Sequence, residues 1–91
     1  MKLLIEHGRV LVGNGFVQDC PILIENDTIL AVGEVGELPR ETPRLSADGL
    51  TVLPGLVDMH THGRAGYDFT TATREQMERM KHSYAEHGVT T

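Results

Sequence analysis

Residues 54–68 read PGLVDMHTHGRAGYD, which places His60 and His62 one residue apart and Asp58 two residues before them. Neutral imidazole is the commonest side-chain metal ligand, binding through one ring nitrogen. On an extended strand, side chains alternate faces with period two. Leu56, Asp58, His60 and His62 would then share one face, and Val57, Met59 and Thr61 the other. Two imidazoles on one strand face can hold a single divalent ion jointly. Asp58, deeper on the same face, reads as a partner that orients a ligand or anchors the strand. A bare His-x-His is a weak signal. The Pro54-Gly55 entry, the preceding aspartate and the glycines that follow strengthen it.

The other histidines read as structural. His7 sits beside Gly8 in a turn, and His82 and His87 lie on or at the end of a helical stretch. A histidine near a helix C-terminus suits the helix dipole.

Positioning such a site requires regular elements on either side of it. Residues 2 to 33 hold short apolar runs: Leu3-Leu4-Ile5, Val10-Leu11-Val12, Phe16-Val17, Ile22-Leu23-Ile24 and Ile29-Leu30-Ala31-Val32. Asn14-Gly15 and Asn26-Asp27 fall between them, where hairpins need residues that accept positive φ. The pattern predicts a small antiparallel sheet. Residues 33 to 49 are polar and broken by Gly33, Gly36, Pro39, Pro43 and Gly49, which predicts a loop with one short strand near Arg44-Leu45. A further run, Leu50 to Leu53, ends at Pro54-Gly55, a pair that does not suit a central strand and marks a boundary. The expected division is residues 1–53 and residues 54–91.

In the second part, a strand over Leu56–His62 is followed by a loop and a helix from about Ala72 to His87. Thr73 with Gln76 makes a capping-box pattern. Met77, Met80 and Tyr84 recur at helical spacing, which predicts a half-buried face with Met77 and Met80 as core. Glu75 and Arg79 form an i,i+4 pair, and Gly88 suits the position just past the helix. Val89-Thr90-Thr91 starts another strand. Strand, helix, strand is the α/β pattern of a parallel sheet or barrel, and barrel active sites lie at the C-terminal ends of the strands.

Composition narrows the class. The 91 residues are 40% hydrophobic and 23% charged, an ordinary globular balance. A net charge of −5 without a basic stripe disfavours nucleic acid. Cys20 is the sole cysteine, so neither a disulfide framework nor a cysteine-based zinc site is expected. MKLLIEHGRV lacks a signal-peptide pattern, and no apolar run approaches a membrane span. The expectation is a cytoplasmic protein with no membrane partner.

LPGLVDMHTHG closely resembles the first barrel strand of the amidohydrolase superfamily. The hairpins of residues 2 to 33 look like its small N-terminal β-sandwich. HGRAGYDF, the helix and HGVTT look most like the N-acetylglucosamine-6-phosphate deacetylases. Arg64 also stands at the spacing used by dihydroorotase-like cyclic amidases, although Ala-Gly-Tyr-Asp after it does not suit them. The resemblance implies a (β/α)8 barrel plus β-sandwich, of which this chain covers the sandwich strands and the first β–α unit. It implies one or two divalent ions, zinc or iron, held partly by His60 and His62. The implied reaction is amide hydrolysis that releases acetate from an N-acetyl amino-sugar phosphate. The general base, the remaining ligands and the substrate-binding residues would lie beyond Thr91, so no catalytic residue is assigned within the chain. The isolated chain is expected to be inactive. A non-catalytic β-rich interaction module is the alternative from a different class. The oligomeric state stays open, with a homodimer among the arrangements.

Overall fold

A computed structural model describes residues 1–91. The chain divides into two compact units, Met1–Leu53 and Pro54–Thr91.

The first unit holds two sheets. β1 (Lys2–Glu6), β4 (Ile22–Glu25), β5 (Thr28–Val32) and β6 (Arg44–Ser46) form one, in the order β5-β4-β1-β6. β2 (Arg9–Val12), β3 (Gly15–Val17) and β7 (Thr51–Val52) form the other, in the order β3-β2-β7. The neighbours β2–β3 and β4–β5 are antiparallel hairpins, and β1 also pairs antiparallel with β4. β6 and β7 join parallel to β1 and β2. The sheets are therefore mixed rather than purely antiparallel. The polar stretch after Gly33 carries the chain back, so that Arg44–Ser46 lies along β1 in the direction β1 itself runs.

Turn chemistry explains the hairpins. Asn26 and Asp27 connect β4 to β5, with Asn26 at φ +54°. The β2–β3 turn is Gly13-Asn14, with Gly13 at φ +61°, one residue earlier than the Asn14-Gly15 expectation. Positive φ falls on the first turn position, which glycine meets at no steric cost.

The core of this unit is small. Val10, Cys20 and Ile22 form a buried cluster, flanked by Ile5, Ile24 and Val52. Leu4, Leu23 and Ala47 are buried as well. Gly8 is buried where a Cβ would meet the Ala47 Cβ at 2.9 Å and the Val52 Cγ2 at 3.0 Å. At the surface, Glu6 pairs with Arg44 at 3.0 Å across β1 and β6.

The second unit has the strand–helix–strand order in reduced form. Leu56 forms a parallel bridge to Val89. The Leu56 amide donates to the Gly88 carbonyl at 2.7 Å, and the Thr90 amide donates to the Leu56 carbonyl at 2.9 Å. The Asp58 amide then donates to the Thr91 carbonyl at 2.8 Å. Beyond Asp58 the extended pairing stops, so the strand predicted through His62 is replaced by a bend and local hydrogen bonds. The expected apolar outer face is not packed: Val57 is 66% and Met59 94% exposed.

A short hairpin follows, β8 (Gly63–Arg64) with β9 (Tyr67–Asp68). Its turn residues Ala65 and Gly66 both take positive φ, the requirement of a type I′ turn. α1 (Arg74–Glu86) packs on this hairpin. It is a residue or two shorter at each end than predicted. Both halves of the Thr73–Gln76 capping box are present, at 3.2 Å and 3.0 Å. Replacing Thr73 by alanine is expected to cost about 1 kcal/mol, within the range for lost N-caps. Urea denaturation followed by helical circular dichroism would measure it. Glu75 and Arg79 pair at 3.0 Å, and Gly88 takes φ +84° just past the helix. Met80 is fully buried, whereas Met77 is 36% exposed, so the core stripe narrows to Met80 with partly buried Tyr84.

Candidate metal-binding site

The loop 58–63 is shaped by its own polar side chains. The Asp58 carboxylate accepts the His60 amide at 3.1 Å, an Asx-type turn that bends the chain where strand pairing ends. The Thr61 hydroxyl oxygen accepts from the Gly63 amide at 3.3 Å and lies 3.3 Å from the Gly63 carbonyl. The Phe69 amide, just past β9, donates to the His62 carbonyl at 2.8 Å and extends the hairpin back to the histidine.

This folding brings the two imidazoles edge to face. Their centroids are 4.8 Å apart with an interplanar angle of 82°. The His60 and His62 Nε2 atoms stand 3.1 Å apart. Two nitrogens on one tetrahedral ion lie about 3.3 Å apart, given Zn–N bonds of about 2.0–2.1 Å. The donor set therefore fits two ligands of a single ion, and the fit is reached by a bent loop rather than a flat strand face. The same separation is also within hydrogen-bonding distance.

No three His, Cys, Asp or Glu side chains gather at metal-binding distance, here or elsewhere in the chain. Asp58 turns its carboxylate to the His60 backbone rather than to an imidazole. Asp68, on the adjacent hairpin, accepts from the Thr70 hydroxyl at 2.7 Å and the Thr70 amide at 2.8 Å. Those two bonds hold its carboxyl below the ordinary carboxylate value, with a smaller contribution from His62.

The remaining histidines are engaged elsewhere. His7 takes φ +67° and pairs with Asp19 at 3.2 Å. His82 pairs with Glu86 at 2.8 Å, and the His87 ring meets the Ser83 carbonyl at 2.9 Å.

Gly63 has a tight steric role next to His62. A Cβ there would clash with the Tyr67 carbonyl oxygen and lie 2.8 Å from the Asp68 Cα, both backbone atoms that cannot swing away. Gly63→Ala is expected to open the hairpin and destabilise this unit by about 1–3 kcal/mol, the scale of overpacking. Loss of slow amide exchange at Phe69, whose N–H bonds to His62, would report it.

Sequence reasoning missed the residues that hold the loop from the helix side. The Tyr84 hydroxyl donates to the Gly63 carbonyl at 3.1 Å and bonds the Thr61 hydroxyl. Arg64 Nε donates to the Ser83 hydroxyl at 2.9 Å, and its guanidinium lies 5.3 Å from the Tyr84 ring centroid. Tyr84 carried only the signal of an apolar helical stripe.

Comparison with known proteins bears on the same stretch. No family model matches the chain. A dihydroorotase from Syntrophus aciditrophicus is 41% identical over 81 residues, which cover 86% of this chain and 19% of that protein. An N-acetylglucosamine-6-phosphate deacetylase from Vibrio furnissii is 35% identical over 83 residues, 90% of this chain and 21% of that protein. The crystal structure of the N-acetyl-D-glucosamine-6-phosphate deacetylase from Mycobacterium smegmatis superposes on all of this chain with a TM-score of 0.73 and 33% identity. The chain's relatives and structural neighbours are amidohydrolase-family members. It corresponds to the N-terminal portion of the deacetylases and spans 25% of the Mycobacterium smegmatis chain. Amidohydrolases generally use divalent metal ions. No helix here is long and apolar enough to cross a membrane.

Proposed function

We propose that this amidohydrolase chain contributes His60 and His62 as two ligands of a divalent ion, zinc or iron, in a metal-dependent deacetylase with a (β/α)8 barrel. The proposed substrate is an N-acetyl amino-sugar phosphate, from which acetate is released. The observation that carries this reading is the 3.1 Å approach of the two Nε2 atoms. The similarity to two deacetylases across 90% and 100% of the chain supports the substrate class.

A bound divalent ion polarises an amide carbonyl and activates water for attack. This chain's own residues supply the holding. His60 and His62 bring their Nε2 atoms side by side, Asp58 fixes the His60 backbone, and the β8–β9 hairpin fixes His62. With two ligands where catalytic zinc ordinarily takes three and a water, the 91-residue chain alone is expected to bind metal without hydrolysing amides.

A dihydroorotase-like reading has its own support in the 41% identity to the Syntrophus aciditrophicus enzyme. In that reading Arg64 stands after His62 at the spacing of those enzymes. Here its Nε is bonded to Ser83 and its guanidinium lies near the Tyr84 ring; the residues Ala-Gly-Tyr-Asp that follow it suit the deacetylase better.

A chimera test separates the two. Residues 1–91 replace the matching quarter of the Mycobacterium smegmatis deacetylase and, separately, the matching fifth of the Syntrophus aciditrophicus dihydroorotase. The expected result is acetate release from N-acetylglucosamine 6-phosphate by the first chimera and no dihydroorotate turnover by the second. Turnover by the second alone would reverse the assignment. An interaction module without chemistry predicts that neither works and that the chain binds no zinc.

A further inference from the structure

Tyr84 lies on α1, well beyond the hairpin that follows His62, yet its side chain reaches back to both flanks of that histidine. Its hydroxyl donates to the carbonyl of Gly63 on one side and bonds the hydroxyl of Thr61 on the other. Its ring is fixed independently. It stacks parallel to Phe69, with centroids 6.4 Å apart and 6° between planes, while Arg64 approaches it from β8. Phe69 is in turn bonded through its amide to the His62 carbonyl. One phenol thus ties α1 to the residues before and after His62 and rests on the residue that bonds His62 itself. His60 and His62 are exposed, and their rings meet only edge to face with each other. Their approach depends on the backbone between Asp58 and Gly63.

We propose that Tyr84 is a positioning residue that holds the 60–63 loop so that the His60 and His62 nitrogens converge on one ion. The inference rests on the metal-binding reading above. Partners that orient metal ligands typically alter affinity 10–100-fold when removed. Tyr84 acts through the backbone rather than on an imidazole, which puts its effect at the lower end.

Tyr84→Phe removes the hydroxyl and keeps the ring on Phe69. Two readouts on the 91-residue chain test the role. Backbone 15N relaxation on metal-free protein reports the order of residues 60–63, and zinc titration by calorimetry reports affinity. The expected result is lower order at 61–63, zinc affinity weakened about tenfold and an unchanged helical circular dichroism signal. Thr61→Val is expected to weaken zinc as well, Thr61→Ser to restore it, and the Thr61→Val, Tyr84→Phe pair to fall short of additivity, as for partners in one network. Unchanged affinity in Tyr84→Phe, with or without loosening of the loop, overturns the inference while leaving the metal site standing. A loss of affinity that comes with loss of the helical signal makes Tyr84 a folding residue and overturns it too. Failure of the parent chain to bind zinc overturns the metal reading and this inference together.

Discussion

Met80→Ala is expected to unfold α1. Met80 is fully buried, the one residue of the helix so enclosed. Truncating a buried methionine to alanine costs roughly 2–5 kcal/mol, from lost transfer energy and the cavity left behind. A helix of 13 residues sits at the length where isolated helices are marginal in water. Its stability therefore comes mainly from packing on the β8–β9 hairpin, and the capping box adds about 1 kcal/mol. Removing the Met80 side chain takes away more than the cap supplies. The check is the helical signal at 25 °C, which should fall sharply in Met80→Ala and persist in Met80→Leu, a volume-conserving change that usually costs under about 1.5 kcal/mol. Equal loss in both variants would show that Met80 does not act through packing.

The second large effect is at the site itself. His60→Ala, His62→Ala and the double variant are each expected to abolish one-to-one zinc binding by the chain. With only two protein ligands, removal of either leaves a single imidazole on an exposed loop. The drop should exceed the roughly 10–100-fold effects of residues that merely support a ligand. His7→Ala and His82→Ala serve as controls and should bind as the parent does, since those rings pair with Asp19 and Glu86. Folding should survive the loss, because neither imidazole is buried and neither belongs to the core. Calorimetric titration with thermal melts on the same samples would separate binding from stability. Retained stoichiometric binding in the double variant would place the ion elsewhere.

Much of this was legible in the residues, and the limits have physical causes. Local chemistry reads well from sequence. The Thr73–Gln76 box, the Asn26-Asp27 turn, Gly88 past the helix and the short strand near Arg44-Leu45 all depend on neighbours a few positions away. Non-local pairing does not. Nothing within residues 44–46 or 51–52 says that they will lie parallel to β1 and β2. The strand expected over Leu56–His62 failed for a related reason. Period-two alternation shows which side chains would share a face, but a strand also needs partners for its amides. Residues 88–91 supply them only as far as Asp58. The His-x-His spacing still brought the nitrogens together, because Asp58 and Thr61 bend the loop and the β8–β9 hairpin fixes His62. The Tyr84 hydroxyl was invisible at the sequence level, since a tyrosine on an apolar stripe reads as core.

The central claim is that His60 and His62 share one ion through their Nε2 atoms. The most direct measurement is 15N NMR of the chain carrying labelled imidazoles, titrated with zinc. The account predicts that the Nε2 resonances of His60 and His62 shift together and saturate at one equivalent, while His7, His82 and His87 stay in place. Shifts spread over all five histidines, or binding through Nδ1 of a single ring, would contradict it.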